Sequence, residues 1–152
     1  MNPISSHLLP DSALIDSSGD LSIAGVSVRS IAEQFGTPVF IYDEDHLRAR
    51  CREAVSAFGR DSVIYASKAF LCTAMAKLVH DEGLLIDVAT GGELFVALNA
   101  GVPADRCVLH GNNKSTDELR MALTAGVRHI VVDSFDEIAR IESLVAEGLT
   151  PP

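Results

Sequence analysis

The sequence predicts an α/β fold in which short parallel β-strands alternate with amphipathic helices. From residue 62 onward, runs of β-branched and aliphatic residues recur at Ser62–Ala66, Leu84–Ala89, Arg106–His110 and Arg128–Asp133. Apolar runs this short are typical of buried strands. The central residues of successive runs are separated by 23, 22 and 22 positions, at Val63, Ile86, Val108 and Ile130.

The segments between these runs carry signals for the start and the end of a helix. Ser or Thr is followed three residues later by Glu at Thr90–Glu93, Ser115–Glu118 and Ser134–Glu137. This spacing lets the hydroxyl and the carboxylate accept hydrogen bonds from the free backbone N–H groups of a helix N-terminus. Glycine, which commonly ends a helix in the left-handed conformation, stands at the opposite ends, at Gly83, Gly101, Gly126 and Gly148.

Strand, helix and strand in this order predict right-handed parallel βαβ units. Two architectures remain possible, an open doubly wound sheet and part of a (β/α)8 barrel. The regular period favours the barrel. A complete barrel takes ~250 residues, so we expect about half of one, with Pro38–Asp43 and the helical segment Asp45–Phe58 as a possible lead-in.

The first residues follow a different pattern. Leu21–Val28 alternates and contains glycine, which predicts either a strand pair or one bulged strand. Arg29–Phe35 predicts one or two helical turns, and Pro10–Gly19 a polar loop. We therefore predict a boundary that separates residues 1–36 from a partial barrel at 37–152.

Composition excludes several functional classes. A net charge of −9, with only 12 scattered Lys and Arg residues, argues against a nucleic-acid or anionic-membrane partner. No apolar run is long enough to span a bilayer, and the first ten residues lack signal-peptide features, so we expect a cytosolic protein. Three distant cysteines and five histidines without ligand spacing predict no metal site.

Residues that can carry chemistry stand where the predicted strands end, which is where barrel enzymes place their catalytic groups. They are Lys68, Asp87 with Thr90, His110 with Asn112 and Asn113, and Asp133. Each also has a structural interpretation. Asp133 is better explained as part of a helix start, and Gly91-Gly92 is a weak phosphate-loop signal.

Lys68 and Asp87 are the strongest of these candidates. If the strand continues through Lys68, its ammonium shares an apolar face with Ile64 and Ala66. Burial there favours the neutral amine that forms covalent bonds with aldehydes, and Ala66 leaves room for a flat ring. The alternative is a lysine that has left the strand and extends into solvent. Asp87 either pairs with Lys68 from the neighbouring strand or caps the following turn.

His110 and the following amides have two interpretations of similar weight. At a strand end, His110 could stack on or hydrogen-bond a ligand, and Asn112 could orient it. Formation of a turn by Gly111 and the two asparagines explains the same residues.

Several segments together resemble one enzyme family. The run VIYASKAF at Val63–Phe70 is similar to the cofactor-lysine strand of fold-type III pyridoxal-phosphate enzymes. Further segments resemble the diaminopimelate decarboxylases among them: GTPVFIYD at Gly36–Asp43, IDVATGGEL at Ile86–Leu94, LHGNNKS at Leu109–Ser115 and IVVDS at Ile130–Ser134. The resemblance extends from about residue 21 to residue 147.

The resemblance implies a pyridoxal 5'-phosphate cofactor bound covalently by Lys68 in a TIM barrel. It places Asp87 and Glu93 beside that cofactor, with Ala66, His110 and Asn112 at the same mouth. The strand at Leu21–Val28 would belong to a β-domain that lies mostly C-terminal. The complete enzyme would be a homodimer.

The implied reaction is decarboxylation of meso-2,6-diaminopimelate to L-lysine. The chain lacks the family's later motifs for the phosphate, the pyridine ring and the substrate, so we expect a truncated form that is inactive alone. The alternatives are an ornithine, arginine or carboxyspermidine decarboxylase, an enzyme like alanine racemase, and a non-catalytic fragment.

Overall fold

The computed structural model describes residues 4–152 and divides them into two compact units. The first unit extends to Arg50, and the second comprises Cys51–Pro152. Among the described residues, no helix has both the length and the apolar character needed to cross a membrane.

The first unit contains a small antiparallel sheet. Its elements are a 3₁₀ turn at Ser6–Leu8, the strands β1 (Leu14–Ile15), β2 (Leu21–Ile23) and β3 (Val26–Ser27), and the helix α1 (Val28–Phe35). Strand β2 pairs antiparallel with both β1 and β3. Helix α2 (Glu44–Phe58) begins in this unit and continues into the second.

Of the two possibilities for Leu21–Val28, the strand pair forms, as the β2–β3 hairpin, and the short helix predicted after it is confirmed as α1. The expectation of a loop at Pro10–Gly19 was wrong, because this segment contains β1. In the possible lead-in, Pro38–Asp43 is irregular, and the segment after it forms α2.

The second unit alternates strands and helices as the repeat predicts. Its elements, after α2, are β4 (Ile64–Ala66), α3 (Thr73–Asp81), β5 (Leu85–Val88), α4 (Gly91–Asn99), β6 (Cys107–Leu109), α5 (Thr116–Ala125), β7 (His129–Ile130) and α6 (Phe135–Ala146). Short 3₁₀ turns lie at Ser67–Ala69 and Ala104–Arg106.

The four strands of the second unit form one parallel sheet in the order β4-β5-β6-β7. Sequence order and spatial order coincide, with a helix after every strand. One face of β5 and β6 is fully buried, at Ile86, Val88, Cys107 and Leu109. Helices α3 and α4 contact β5, so the opposite face is left to form the inner wall of the predicted barrel.

The helix-start signals are confirmed. The hydroxyls of Thr90, Ser115 and Ser134 each accept a hydrogen bond from the backbone N–H three residues later. Ser115 also forms the reciprocal contact of a capping box with Glu118. Helix α5 ends at Gly126 with φ +76°, as its sequence predicts.

A hydrophobic cluster lies between α5 and α6 in the second compact unit. Leu119, Leu123 and Leu144 are buried together, and Ile130 of β7 packs against them. The predicted strand Arg128–Asp133 is reduced to the two residues of β7, because its later residues leave the sheet. Asp133 is therefore exposed in the connection to α6, next to the N-cap residue Ser134.

Candidate functional site

A shallow pocket of about 220 Å³ lies on the inner face of the parallel sheet. It is lined by Ile64, Ala66, Asp87, Val108, His110 and Val131. Each pair of lining residues on one strand is two positions apart, as alternation along a strand requires. The pocket is smaller than the ~300–1,000 Å³ of a complete small-molecule site, which fits a wall made of only four strands.

Asp87 lies at the centre of this wall. Its strand β5 places it opposite Ala66 of β4 on one side and Val108 of β6 on the other. Its Oδ2 is 3.4 Å from Nδ1 of His110. Its Oδ1 is buried and has no hydrogen-bond partner among the described residues. A buried carboxylate oxygen without a donor is costly, so Asp87 is suited to receive a donor from a ligand.

Lys68 follows this wall but does not belong to the strand. Strand β4 ends at Ala66, and Lys68 lies in the 3₁₀ turn Ser67–Ala69 with an exposed side chain. Of the two interpretations of Lys68, the structure therefore agrees with the lysine that has left the strand and extends into solvent, because the chain turns before reaching it. No ion pair joins Lys68 to Asp87 in the part of the chain that the structure describes, where the imidazole of His110 lies 3.4 Å from the Asp87 carboxylate.

Ser67, beside Lys68, is a second polar group without a partner. The residue is only 2% exposed, and its hydroxyl makes no hydrogen bond within residues 4–152. The hydroxyl oxygen of Ser67 and Oδ1 of Asp87 are thus both buried without a hydrogen-bond partner among the described residues. Ser67 lies in the turn that carries Lys68, and Asp87 lies in the neighbouring strand β5. Such atoms are rare in native proteins unless a ligand or water completes them.

Glu93 has a backbone partner. Its carboxylate accepts a hydrogen bond of 2.5 Å from the backbone N–H of Ala89, and its own N–H donates to the hydroxyl of Thr90 at 3.2 Å. These contacts fix the turn between β5 and α4. The structure therefore gives Glu93 a clear role in the loop, whereas its predicted proximity to a cofactor stays a prediction.

The residues after β6 form a tight turn. His110 faces the pocket, and Gly111 adopts φ +104° with its α-carbon against Ala89. An added Cβ at Gly111 would lie 2.6 Å from the carbonyl oxygen of Ala89. Asn112 and Asn113 are exposed, and Asn113 has φ +58°. Both the ligand-facing and the turn-forming interpretations of this segment thus describe parts of it.

Two residues near the carboxyl ends of these strands have contacts that the sequence did not predict. Lys114 is 1% exposed and lies 2.9 Å from the carboxylate of Glu137. Glu118, predicted only as a helix cap, also accepts a hydrogen bond of 2.9 Å from the backbone N–H of Gly91 in the preceding unit. That hydrogen bond, together with those from Ser115, lowers the pKa of Glu118.

A common pattern connects these contacts. Glu118 and Glu137 occupy the same third position of successive helices, and each carboxylate contacts the preceding βα unit, at the start of its helix or in the connection before it. The recurrence of Glu at this position was visible in the sequence, but its cross-unit contacts were not. Among the described residues, no cluster of three His, Cys, Asp or Glu side chains is arranged to hold a metal ion.

A carboxylate paired with an imidazole and a small residue, Ala66, therefore line one pocket, and Lys68 follows two residues after Ala66 in an exposed turn. The donor set suits an organic ligand with an electrophilic carbon, because an exposed lysine amine can form a covalent bond with an aldehyde. It suits a pyridoxal group in particular, since Asp87 offers an unpaired acceptor and Ala66 leaves space beside it.

Comparison with known proteins agrees with this chemistry. The chain is 49% identical over 143 residues to diaminopimelate decarboxylase of Mycobacterium tuberculosis, covering 93% of this chain and 32% of that protein. The solved structure of diaminopimelate decarboxylase from M. jannaschii in complex with L-lysine has a TM-score of 0.79 and 29% identity, over 91% of this chain and 33% of that one.

A lysine/ornithine decarboxylase from Vibrio vulnificus, solved with putrescine, has a TM-score of 0.70 and 29% identity, over 77% of this chain and 32% of that one. The chain thus spans about a third of the length of the relatives it matches. The prediction of a partial barrel of this enzyme class is confirmed.

Residues 44–150 match the pyridoxal-binding domain of the pyridoxal-dependent decarboxylases. This match covers the whole parallel sheet and the pocket on its inner face. The chain therefore belongs to the family of pyridoxal-dependent decarboxylases, whose cofactor is pyridoxal phosphate.

Proposed function

We propose that this chain supplies part of the active site of a pyridoxal-phosphate-dependent decarboxylase that converts meso-2,6-diaminopimelate to L-lysine, with Lys68 as the residue that binds the cofactor covalently. The observation that carries the proposal is the position of Lys68 directly after the strand whose inner face lines the pocket with Asp87. The 49% identity to a diaminopimelate decarboxylase supports the substrate.

The other two lysines of the sequence are poor candidates for this role. Lys77 lies on α3 and pairs with Asp81 at 3.3 Å on the surface. Lys114 is 1% exposed, donates to two carbonyl oxygens and pairs with Glu137. Only Lys68 has an exposed amine at the mouth of the sheet without an ion-pair partner among the described residues. Elimination and position therefore favour the same residue.

When bound, pyridoxal phosphate supplies an aldehyde for a lysine and a ring that accepts the electrons left by departing carbon dioxide. Lys68 would hold the cofactor and, as a free amine, can accept or return a proton at Nζ. Asp87 would provide a negative charge and an acceptor at Oδ1. His110 would keep Asp87 oriented through Oδ2, and Ala66 would leave space for the ring.

A second candidate is a decarboxylase of the same class that acts on ornithine or a related amino acid. The similarity to the lysine/ornithine decarboxylase of Vibrio vulnificus favours it. Its identity to this chain is 29%, against 49% for the diaminopimelate enzyme, so we rank it second.

We also propose that residues 1–36 contribute to a β-domain and that 37–152 form the barrel part. The antiparallel pairing of β1, β2 and β3, separate from the parallel sheet, supports this division. A cytosolic location and a homodimeric complete enzyme stay predictions from the family resemblance.

The experiment requires a complete enzyme, which we define as this chain joined to the C-terminal two-thirds of the Mycobacterium tuberculosis relative. Pyridoxal phosphate is added, the adduct is reduced with borohydride, and the labelled peptide is identified by mass spectrometry. We expect the label on Lys68 and its loss in Lys68→Ala, with Lys77→Ala as the matched control. Labelling of Lys77 or Lys114 with Lys68 unmodified would overturn the assignment.

The substrate is tested in the same complete enzyme by release of carbon dioxide. We expect release from meso-diaminopimelate and little from ornithine or arginine. Preference for ornithine would instead favour the second candidate. A complete enzyme that carries the cofactor on Lys68 but releases nothing from any of these amino acids would contradict both.

A further inference from the structure

The ammonium of Lys114 is buried among oxygen atoms. Its Nζ donates to the carbonyl oxygens of Gly111 and of Val131, the latter at 2.7 Å, and lies 2.9 Å from the carboxylate of Glu137. An ammonium has three N–H donors, and three oxygen atoms surround this one. A buried charge is costly unless it is paired and hydrogen-bonded, and Lys114 has one charged partner and two hydrogen bonds.

The partners of Lys114 belong to two neighbouring βα connections. Gly111 follows β6 directly after His110, whereas Val131 follows β7 and lines the pocket. A further hydrogen bond joins the same two segments, because the guanidinium of Arg140 on α6 donates to the backbone carbonyl oxygen of Lys114 at 2.6 Å. Lys114 therefore joins two connections at the mouth where the cofactor is proposed to bind.

The turn at Gly111 is confined from its other side as well. Its α-carbon packs against Ala89, at the end of β5, so closely that a Cβ would lie 2.6 Å from that carbonyl oxygen. Since Lys114 binds the carbonyl oxygen of Gly111, the turn is fixed between the connections after β5 and β7. His110, immediately before it, has little freedom to move away from Asp87.

We propose that Lys114 and Glu137, with the carbonyl groups of Gly111 and Val131, form a positioning clamp that holds His110 against Asp87 for cofactor binding. The proposal rests on the proposed function, since it assigns these residues to the cofactor site. Lys114 and Glu137 are positioning residues, because neither faces the pocket.

Stability alone is a weak explanation for a buried ion pair. Replacing both members by apolar residues of similar volume is often neutral or stabilising, because the cost of desolvating two charges disappears. The hydrogen bonds from Lys114 to the two carbonyl groups would be lost at the same time. The paired apolar replacement therefore separates folding, which should survive, from positioning, which should not.

The test compares Lys114→Met combined with Glu137→Leu against the unmodified complete enzyme, with Lys77→Met as a control that removes a surface lysine. The measurements are the urea midpoint, the dissociation constant of pyridoxal phosphate, the pH profile of the visible band of bound cofactor, and hydrogen exchange of residues 110–115. We expect a cooperative urea transition with a modestly lower midpoint, because two carbonyl groups lose a donor, a dissociation constant raised about ten-fold or more, a shifted pH profile and faster exchange. Lys77→Met should change none of them.

Two results would overturn the clamp. One is a folded double variant with unchanged cofactor affinity and unchanged exchange. The other is a double variant that does not fold, because that outcome would assign the pair to the stability of the fold. If the unmodified complete enzyme forms no adduct at Lys68, the proposed function fails instead. In that case, hydrogen exchange of residues 110–115 in the double variant still tests whether Lys114 and Glu137 hold the turn in place: faster exchange supports the clamp and unchanged exchange contradicts it.

Discussion

The Nδ1 atom of His110 lies 3.4 Å from Oδ2 of Asp87, although the residues are 23 positions apart in the sequence. The register of the sheet explains this contact. Asp87 is opposite Val108 in the β5–β6 pairing, and His110 is two positions further along the same face. Because the sheet register holds the two side chains together, we expect a substitution of either residue to affect the role of the other.

The first prediction is that Asp87→Asn lowers turnover of the complete enzyme while leaving the fold intact. The amide keeps the size of the side chain but removes its negative charge, and a lost interaction of about 1.4 kcal/mol corresponds to a ten-fold slower reaction. Turnover is measured by carbon dioxide release and the fold by circular dichroism. Asp81→Asn, which removes a surface partner of Lys77, is the control. Unchanged turnover and an unchanged pH profile of the cofactor band would return Asp87 to a structural role.

The second prediction concerns the turn after β6. Gly111→Ala places a Cβ 2.6 Å from the carbonyl oxygen of Ala89, in addition to the strain of a positive φ. Gly148 has a similar φ of +101° but nothing within 4 Å of an added Cβ, so Gly148→Ala measures the strain alone, about 1–2 kcal/mol. We expect Gly111→Ala to lower the free energy of unfolding by clearly more, as measured by urea denaturation. Equal losses for the two variants would show that the turn yields without cost.

Local signals predicted local structure well. The capping box of Ser115 and Glu118 and the glycine that ends α5 depend on residues a few positions apart, so their patterns are visible in the sequence. The alternation of apolar runs likewise predicted the parallel strand order.

Contacts between distant residues were not predictable in this way. Lys114 is buried because Val131 and Glu137, 17 and 23 positions later, supply oxygen atoms in three dimensions. The direction of Lys68 depends on whether the strand extends beyond Ala66, where both the apolar run and β4 end, and the run alone does not decide this. Asp87 likewise lies near His110, which directly follows the neighbouring strand, whereas the sequence left open a pair with Lys68 or a cap of the following turn.

The third prediction is selective reactivity of the cysteines. Cys107 is fully buried, and this burial raises the pKa of its thiol to about 11. The thiolate is the reactive form, so Cys107 should resist iodoacetamide in the folded chain at pH 8, whereas the partly exposed Cys72 should react. The labelled peptides are quantified by mass spectrometry. Comparable labelling of both residues without denaturant would contradict the buried position of Cys107.

The same shift has a consequence for stability. An unfolded thiol has a pKa of about 8.5, so above that pH the unfolded chain gains a charge that the folded chain does not. The free energy of unfolding should therefore decrease as the pH rises from about 8.5 toward 11. In Cys107→Ala this part of the alkaline decrease should be absent.

The fourth prediction concerns Glu118, whose pKa is lowered by hydrogen bonds from the backbone of Gly91 and from Ser115. A carboxyl group with a lowered folded-state pKa stabilises the fold above its unfolded pKa of about 4.3, and this contribution is lost as the pH falls through the folded value. Glu118→Gln should cost about 1–2 kcal/mol at pH 7.

The difference in the free energy of unfolding between the unmodified chain and Glu118→Gln should therefore shrink as the pH falls below about 4.3. Glu142→Gln, at an exposed position of α6, serves as the control and should have little effect at either pH. Urea denaturation at several pH values provides the measurement. A cost for Glu118→Gln that is independent of pH would show that the contacts do not require the charged carboxylate.

The last prediction is that the 152-residue chain alone associates with itself and does not decarboxylate meso-diaminopimelate. Strand β7 lies at the edge of the sheet, with backbone N–H and C=O groups open to another strand. Apolar residues after it are exposed, Val131 and Val132 at 42% each and Phe135 at 89%. Exposed edges and apolar patches of this kind drive association.

Sedimentation velocity at several concentrations tests the association, and carbon dioxide release with added pyridoxal phosphate tests the activity. We expect oligomers without turnover for the unmodified chain. Val132→Lys should shift the distribution toward the monomer, because a charge beside β7 opposes strand pairing and interrupts the apolar patch. Phe95→Lys, which removes a 60% exposed side chain from α4 instead, should have a smaller effect. A monomeric chain with substantial turnover would show that four strands already form a sufficient active site, since the inner face would then need no further wall.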